Sequence, residues 1–341
     1  MTPLVSVVVP VYNAGSYLED CVASLRAQTL QEMEFLFVDD CSTDGSLSVL
    51  QKAAKEDGRI RVIAQPVNRG VSAARNAGID AAQGSYIGFT DADDTVEPEM
   101  FRELLEACRR AEAEISFCRV FKDKPSGQEN VPLGFADGTR FDEKAIREDL
   151  IPGMLSRPQD GDELPLSGYT PRNLFARRVI GSRRFREDIR YAEDLLFIVT
   201  CMLEARASVA VDRAYYHYRF HAASATKKYS PFIPESLERS NSALETLLGS
   251  SPECMRRMKI RRRKMAVDAV RNYCAEGTPC SLPERWKRIR SYLKREDIRA
   301  LYRDVQLSRL PRRTAIKYGL MKHRCALLLT ALFSTVFRAR L

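Results

Sequence analysis

Four short apolar runs, each ending abruptly in polar residues, constrain the fold of this 341-residue chain more than anything else in it. Val5-Ser6-Val7-Val8-Val9-Pro10-Val11 is rich in β-branched residues and closes on Tyr12-Asn13. Glu34-Phe35-Leu36-Phe37-Val38 runs into Asp39-Asp40, and Arg61-Val62-Ile63-Ala64 leads to Asn68-Arg69-Gly70. Ser85-Tyr86-Ile87-Gly88-Phe89 ends at Asp91-Ala92-Asp93-Asp94. Unbroken apolar runs suit strands covered on both faces. Helical patterns separate them. Tyr17, Leu18, Cys21, Val22 and Leu25 share one helix face, Ser42-Thr43-Asp44-Gly45 opens a second helix with N-cap residues, and Val71 to Ala82 forms a third. Pro98 to Ala111 and Ile115 to Phe121 read as one more helix and one more strand. This alternation predicts an α/β domain with a mostly parallel central sheet flanked by helices. Ligands of such sheets bind beyond the carboxyl ends of the strands, where all four polar clusters lie. Four separate segments therefore converge on one crevice.

The length suffices for an α/β domain of about 200–230 residues plus a smaller appendage. Residues 123–170 are richer in Gly, Pro and acids and are expected to be irregular, with Pro152, Pro158, Pro165 and Pro171 opposing long helices. Helical patterning returns near Glu193 to Ala205, and from about Ser230 the chain reads as helical and basic. The expected division is 1–229, with halves at about 1–122 and 123–229, and 230–341. Charge divides at the same place. Residues 1–229 carry 29 Lys and Arg against 35 Asp and Glu, whereas residues 230–341 carry 25 against 10. Nine cysteines without CxxC spacing read as reduced thiols of a cytoplasmic protein. The first strand begins within a few residues of Met1, so no signal peptide is expected.

Three carboxylates within Asp91 to Asp94 repel one another and call for a counter-charge. A divalent cation with a polyphosphate supplies one, since Asp oxygens suit Mg²⁺ or Mn²⁺ that shares its coordination with phosphates. A solvated acidic turn capping the next helix is the other reading. Neither a G-x-G-x-x-G fingerprint nor a G-x-x-x-x-G-K-[ST] phosphate loop follows the first strand. Aspartates at a strand end can still accept from ribose hydroxyls or a base N–H. The combination points to a nucleotide-diphosphate donor with the nucleoside diphosphate as leaving group.

The blocks Val5 to Asn13, Val38 to Ser46, Asn68 to Asn76 and Asp91 to Asp94 resemble, in order and spacing, those of family-2 glycosyltransferases, which are inverting enzymes with the Rossmann-like GT-A fold. The resemblance covers about residues 4–225. It implies that Pro10, Val11 and Tyr12 line a base pocket and that Asp40 bonds the nucleobase, most often uracil. Asn68, Gly70 and Arg75 would shape the ribose and diphosphate side, and Asp91 would face the ribose or sugar. Asp93 would coordinate Mn²⁺ or Mg²⁺ with Asp94 supporting it, Asp91 completing the acidic set. Ile189 to Phe197 resembles the downstream Glu-Asp block, whose aspartate, here Asp194 beside Glu193, would be the general base. Inversion needs such a base opposite the leaving diphosphate. On its own, Glu193-Asp194 reads equally as an acid-decorated helix N-terminus. Tyr215 to Thr226 resembles the tyrosine-rich strand and loop, in which Arg219 and Ser224 would contact the diphosphate. His217 or His221 would reach metal or diphosphate, or simply be satisfied strand and loop residues. Asn173-Leu174-Phe175 and Phe185 fall where an acceptor-side segment is expected.

The expected activity is therefore transfer of a sugar, chiefly from a UDP-sugar, to a glycan or lipid-linked acceptor in surface polysaccharide synthesis. A sugar nucleotidyltransferase would want a Gly- and Lys-rich phosphate loop, and Pro10 to Gly15 is a poor one. A non-catalytic sugar-nucleotide scaffold would be expected to lack the acids seen here. In the tail, Arg256 to Lys264 is densely cationic, but no nucleic-acid signature accompanies it, and nucleic acid is not an expected partner. Cys325 to Phe337 is uncharged. Thirteen helical residues span about 20 Å, short of a bilayer core of about 30 Å. This segment fits an interfacial helix beside anionic headgroups, packing against the body, or contact with a second copy in a homodimer.

Overall fold

A computed structural model of the protein describes residues 2–156, 168–220 and 229–338, the last four by backbone alone. The chain divides into two compact units, Met1–Ile151 with Pro165–His221 and Pro152–Leu164 with Ala222–Leu341.

The first unit opens with β1 (Val5–Val11), α1 (Tyr17–Arg26), β2 (Met33–Asp39), α2 (Ser46–Glu56), β3 (Ile60–Ala64), α3 (Val71–Ala81) and β4 (Tyr86–Phe89). It continues through β5 (Thr95–Val96), α4 (Met100–Arg110), β6 (Ile115–Lys124), β7 (Gly127–Val131) and β8 (Arg140–Asp142). A helical run follows, made of α5 (Glu143–Ala145), a π-helical turn Ile146–Leu150 and α6 (Ile151–Leu155), which belongs to the second unit from Pro152 onward. The described part of the first unit resumes with a 3-10 turn at Thr170–Arg172, followed by β9 (Asn173–Ala176), α7 (Arg177–Ile180), α8 (Glu193–Met202) and β10 (Ala207–Arg219).

Among the described residues the strands form one sheet in the order β3-β2-β1-β4-β9-β6-β10-β5, with β7 beside β6 and β8 beside β10. The β3-β2-β1-β4 half is parallel as expected, with β1 between β2 and β4. Pro10 lies past the last β1–β4 pair, so its missing N–H removes no bond on that side. Beyond β4 the sheet is mixed, because β9 runs antiparallel to both β4 and β6. Residues 123–156, the described stretch of the segment expected to be irregular, are more ordered than their composition predicts. Strand β7 is a polar hairpin arm, Gly-Gln-Glu-Asn-Val, that apolar periodicity cannot register. The π turn directly precedes Pro152, whose ring crowds the preceding carbonyls and which has no N–H to donate.

Helix α3 positions the site. Ser72, Ala73, Ala74 and Gly78 are among its buried residues, and a Cβ at Gly78 would collide with Val8 Cγ1. The helix thus seats hard against β1. It starts at Gly70, whose φ of 91° and ψ of 167° belong to a region essentially reserved for glycine.

The second unit contains α9 (Ile233–Leu248), α10 (Pro252–Asn272), α11 (Leu282–Lys294), α12 (Glu296–Tyr302), α13 (Arg312–Lys322) and α14 (Ala326–Arg338). Its core includes Val267, Val270, Ile289, Leu293, Tyr302, Tyr318, Leu329 and Phe333. The cationic run of α10 is largely used inside this unit. Arg257 donates to the Ser156 carbonyl, Arg261 to Asn241, Arg262 to Glu238 and Glu245, and Arg263 to the Leu301 carbonyl. These bonds lace α10 to its neighbours, so much of the run is an internal brace and not a solvated stripe. No helix among the described residues is long and apolar enough to cross a membrane.

Candidate active site

The loops after β1 and β2 interlock. Asn13, left-handed at φ 49°, accepts through Oδ1 from the Thr43 N–H at 2.7 Å, and Asp44 Oδ2 accepts from the Gly15 N–H at 3.0 Å. Asp40 is buried, and both its oxygens are engaged: Oδ1 accepts from the Arg69 N–H at 2.8 Å and Oδ2 from the Gly70 N–H at 2.7 Å. It therefore fastens the Asn68-Arg69-Gly70 turn. Its neighbour Asp39 accepts from the Ser42 N–H through Oδ2, while its buried Oδ1 has no hydrogen-bond partner among the described residues. The sequence blocks quoted Asp39 without assigning it a task, and an orphaned buried acceptor at a strand end is a signal that only coordinates reveal. Tyr12 is 52% exposed and Val67 57% exposed, leaving ring and apolar surface open at strand ends. Pro10 is half-buried and Asn68 exposed.

The acidic turn after β4 is pinned from β10. Thr95 and Val96 pair with His217 and Tyr216. Asp94 is buried, with Oδ2 accepting from the Tyr216 hydroxyl at 2.5 Å and Oδ1 from the Arg219 N–H at 2.8 Å. Burial, with Asp91 and Asp93 adding to it, pushes the Asp94 carboxyl well up, although Tyr216 and Arg219 pull against the shift. Two register shifts in β10, between Val211 and Tyr216, bring this tyrosine to the turn. Asp94 thus anchors the turn, whereas Asp91 and Asp93 are half-buried.

Arg75 joins the turn to the downstream acids. Its side chain, 4% exposed, donates through Nη2 to Asp91 Oδ1 at 2.9 Å and through Nη1 to Glu193 Oε1 at 3.0 Å and Asp194 Oδ1 at 2.6 Å. Expected on the diphosphate side, it is instead committed to three carboxylates. Burial pushes Asp194 up to about 7 against the pull of Arg75, with Glu193 and Asp91 reinforcing the rise. Burial raises Asp91 too, again opposed by Arg75 and reinforced by Asp93. Neighbouring Asn76 grips the chain that leads to α8: its Nδ2 donates to the Phe185 carbonyl at 2.9 Å and its Oδ1 accepts from the Phe185 N–H at 2.8 Å. The Phe185 ring stacks on Phe197 at 3.9 Å and lies under the Arg75 guanidinium at 5.2 Å. Ala192, left-handed at φ 62°, is the N-cap of α8 and turns the chain directly into Glu193 and Asp194.

The side chains of other expected residues are engaged elsewhere or packed at the edge of this cluster. Arg219 reaches Asp20 at 3.0 Å and stacks over Tyr17. His217 is engaged at both ring nitrogens, by Asp123 and Glu97, and stacks on Phe121. Asn173, Leu174 and Phe175 are buried in β9, and Phe185 is buried among Phe89 and Phe197. His221 and Ser224 lie outside the described residues. Among those residues no three acidic, His or Cys side chains form a ready metal cage. Asp91, Asp93, Asp94, Glu193 and Asp194 are nonetheless grouped with one buried Arg75, and an excess of negative charge fits a cation that also takes phosphate ligands.

A mixed α/β sheet with an acidic turn and a second acid pair joined to it fits a glycosyltransferase, and the chain belongs to Glycosyl transferase family 2, whose model matches residues 6–157. It is 32% identical to the uncharacterized glycosyltransferase EpsJ of Bacillus subtilis (strain 168) over 98% of this chain and 96% of that protein. Its fold matches TarS 1–349 of S. aureus in complex with UDP-GlcNAc, with a TM-score of 0.65 and 17% identity over 98% of this chain and 91% of the other. It also matches the mannosyltransferase PcManGT of Pyrobaculum calidifontis in complex with GDP-Man and Mn²⁺, at TM-score 0.51 and 15% identity over 98% and 88%. The protein is a glycosyltransferase of the GT-A fold, which sets aside the nucleotidyltransferase and scaffold alternatives.

Proposed function

We propose that this glycosyltransferase is metal-dependent and inverting, and moves a sugar from a UDP-sugar to a hydroxyl of a glycan or lipid-linked acceptor in surface polysaccharide synthesis at the cytoplasmic face of a membrane. The observation that carries this reading is the three-way contact of Arg75, which holds Asp91 of the donor-side turn and Asp194 of the acceptor-side helix on one guanidinium. Asp194 takes the acceptor hydroxyl proton as the new oxygen–carbon bond forms at the anomeric centre and the bond to the diphosphate breaks. Its raised carboxyl, near 7, is matched to that task. Glu193, on the same guanidinium, helps to hold Arg75 in place. Asp91 and Asp93 are the pair offered to Mn²⁺ or Mg²⁺, since Asp94 is occupied by Tyr216 and the Arg219 N–H. A bound divalent ion would stabilise charge growing on the leaving diphosphate. Asp39 supplies the acceptor for a nucleobase N–H, because its Oδ1 is unpartnered while Asp40 is committed to the Arg69–Gly70 turn. Tyr12 provides exposed ring surface beside it.

The UDP and Mn²⁺ assignments draw support from the neighbours crystallised with UDP-GlcNAc and with Mn²⁺. The test is Mn²⁺-dependent UDP-sugar turnover by wild type, Asp93→Ala and Asp194→Asn. Asp93→Ala should lose metal dependence and donor binding, and Asp194→Asn should bind donor but turn over at least 100-fold more slowly. Undiminished turnover in Asp194→Asn refutes the base.

A further inference from the structure

Helix α14 breaks the usual rule for a helix at a protein surface. Ala326, Leu329, Thr330 and Phe333 are buried against the second unit's core, so the opposite face should be polar. It is instead Leu327, Leu328 and Ala331, with Leu327 69% and Leu328 56% exposed. No charge interrupts the sequence from Cys325 to Phe337. Helix α13, which packs against α14, has an outward face of related kind. Ile316, 51% exposed, lies there with Arg312 and Arg313. Residues 305–341 contain eight Lys and Arg and no Asp or Glu. Lys317 faces Asp268 and Lys322 donates to the Val305 carbonyl, whereas Arg312 and Arg313 lie exposed in a segment without acids.

We infer that the outer faces of α13 and α14 form a docking surface for an anionic phospholipid bilayer, with Leu327 and Leu328 entering the acyl boundary and the surrounding Arg and Lys meeting headgroup phosphates. Charge selects the occupant. A second copy seated face to face would set this acid-free segment against itself, and like charges oppose such a self-complementary contact. A nucleic acid would satisfy the cations and leave the leucines in water. A bilayer carrying anionic lipid satisfies both at once. The inference deepens the proposed function, since it rests on a lipid-linked acceptor as the reason for being at a membrane, but its test does not use the acceptor.

The full-length protein is sedimented with phosphatidylcholine vesicles, alone or with about 30% phosphatidylglycerol, and its oligomeric state is measured without lipid. Binding to the anionic vesicles is expected, with weak binding to phosphatidylcholine and marked loss in about 0.5 M salt. Leu327→Glu/Leu328→Glu should lower the partition coefficient at least tenfold, and Arg312→Gln/Arg313→Gln several-fold. Both variants should keep wild-type melting and Mn²⁺-dependent UDP-sugar hydrolysis, which separates failure of this surface from failure of the catalytic reading. If Leu327→Glu/Leu328→Glu disturbs folding, Leu327→Ser alone serves, with an expected loss of several-fold. The inference is overturned if wild type ignores anionic vesicles or if the leucine variants bind like wild type. It is equally overturned if wild type is a dimer in solution that these variants dissociate, which assigns the face to a second copy.

Discussion

Replacing Arg75 with Met keeps most of the side chain's bulk and removes the charge shared by Asp91, Glu193 and Asp194. The guanidinium lies 2.6 Å from Asp194 Oδ1, with both groups mostly out of solvent. Two unit charges about 4 Å apart interact by about 4 kcal/mol at an effective dielectric constant near 20. Halving this for the partial exposure of Asp194 leaves about 2 kcal/mol, or about 1.5 pH units at 1.36 kcal/mol each. Asp194 stands at about 7 with Arg75 in place. Without it the carboxyl should rise further by about that amount, because the ionised form has lost its partner. The base acts only when deprotonated, so activity is lost as pH falls through the carboxyl's pKa. At pH 7 the competent fraction drops from about one half to about one thirtieth, an expected loss of about 15-fold in kcat/KM. The assay is the pH profile of Mn²⁺-dependent UDP-sugar turnover for wild type and Arg75→Met. The acid limb should move alkaline and much of the activity should return near pH 9. Arg75→Lys should fall between them, since a point charge cannot fork to three carboxylates. A profile lowered evenly at every pH, with its limb unmoved, would show that Arg75 does not govern the titrating base and would refute the reasoning.

Asp40→Ala should free the Asn68 to Gly70 turn by deleting two charge-assisted bonds from buried surroundings, costing about 2–4 kcal/mol in denaturant unfolding and weakening UDP binding measured by calorimetry. Tyr216→Phe strands Asp94 Oδ2 in the interior, so a loss of about 1–3 kcal/mol in stability is expected, with donor affinity reduced less than by Asp93→Ala. Asn76→Ala breaks the paired bonds to Phe185 that steady the approach to α8, and should lower kcat at least tenfold while leaving the donor dissociation constant within about twofold. Asp91, Asp94 and Asp194 are all raised in the folded state, so the native chain binds more protons than the unfolded one above the ordinary carboxylate range. Stability from these groups is present at low pH and lost as pH rises toward and through about 7, and Mn²⁺ should therefore raise Tm more at pH 8 than at pH 5.5 in a thermal melt.

The parallel strands and the loops that end them were legible because apolar runs stopped by Asp, Asn and Gly leave few alternatives. Strands β7 and β8 were not, because polar hairpin arms and a three-residue pairing carry no periodic signal. The acids of the site were legible as a set, but their division of labour was not. Whether an aspartate holds a loop, as Asp40 does, or keeps an orphaned oxygen, as Asp39 does, depends on which backbone N–H groups arrive there from distant segments. The task of Arg75 had a readable trace: one arginine among Val, Ser, Ala and Gly on a helix that must seat closely on the sheet. A cation in that setting must bring its own anions.

Ala192 carries the chain into α8 in a conformation that a residue with a Cβ adopts at a cost of about 1 kcal/mol. Glycine would remove that penalty, yet it would also open many other backbone paths at the joint where Glu193 and Asp194 are aimed. A side chain as small as a methyl group narrows the choices to one shallow well, which the Asn76 and Arg75 contacts then deepen. Aim at this position is thus obtained by tolerating a little local discomfort instead of by adding bulk.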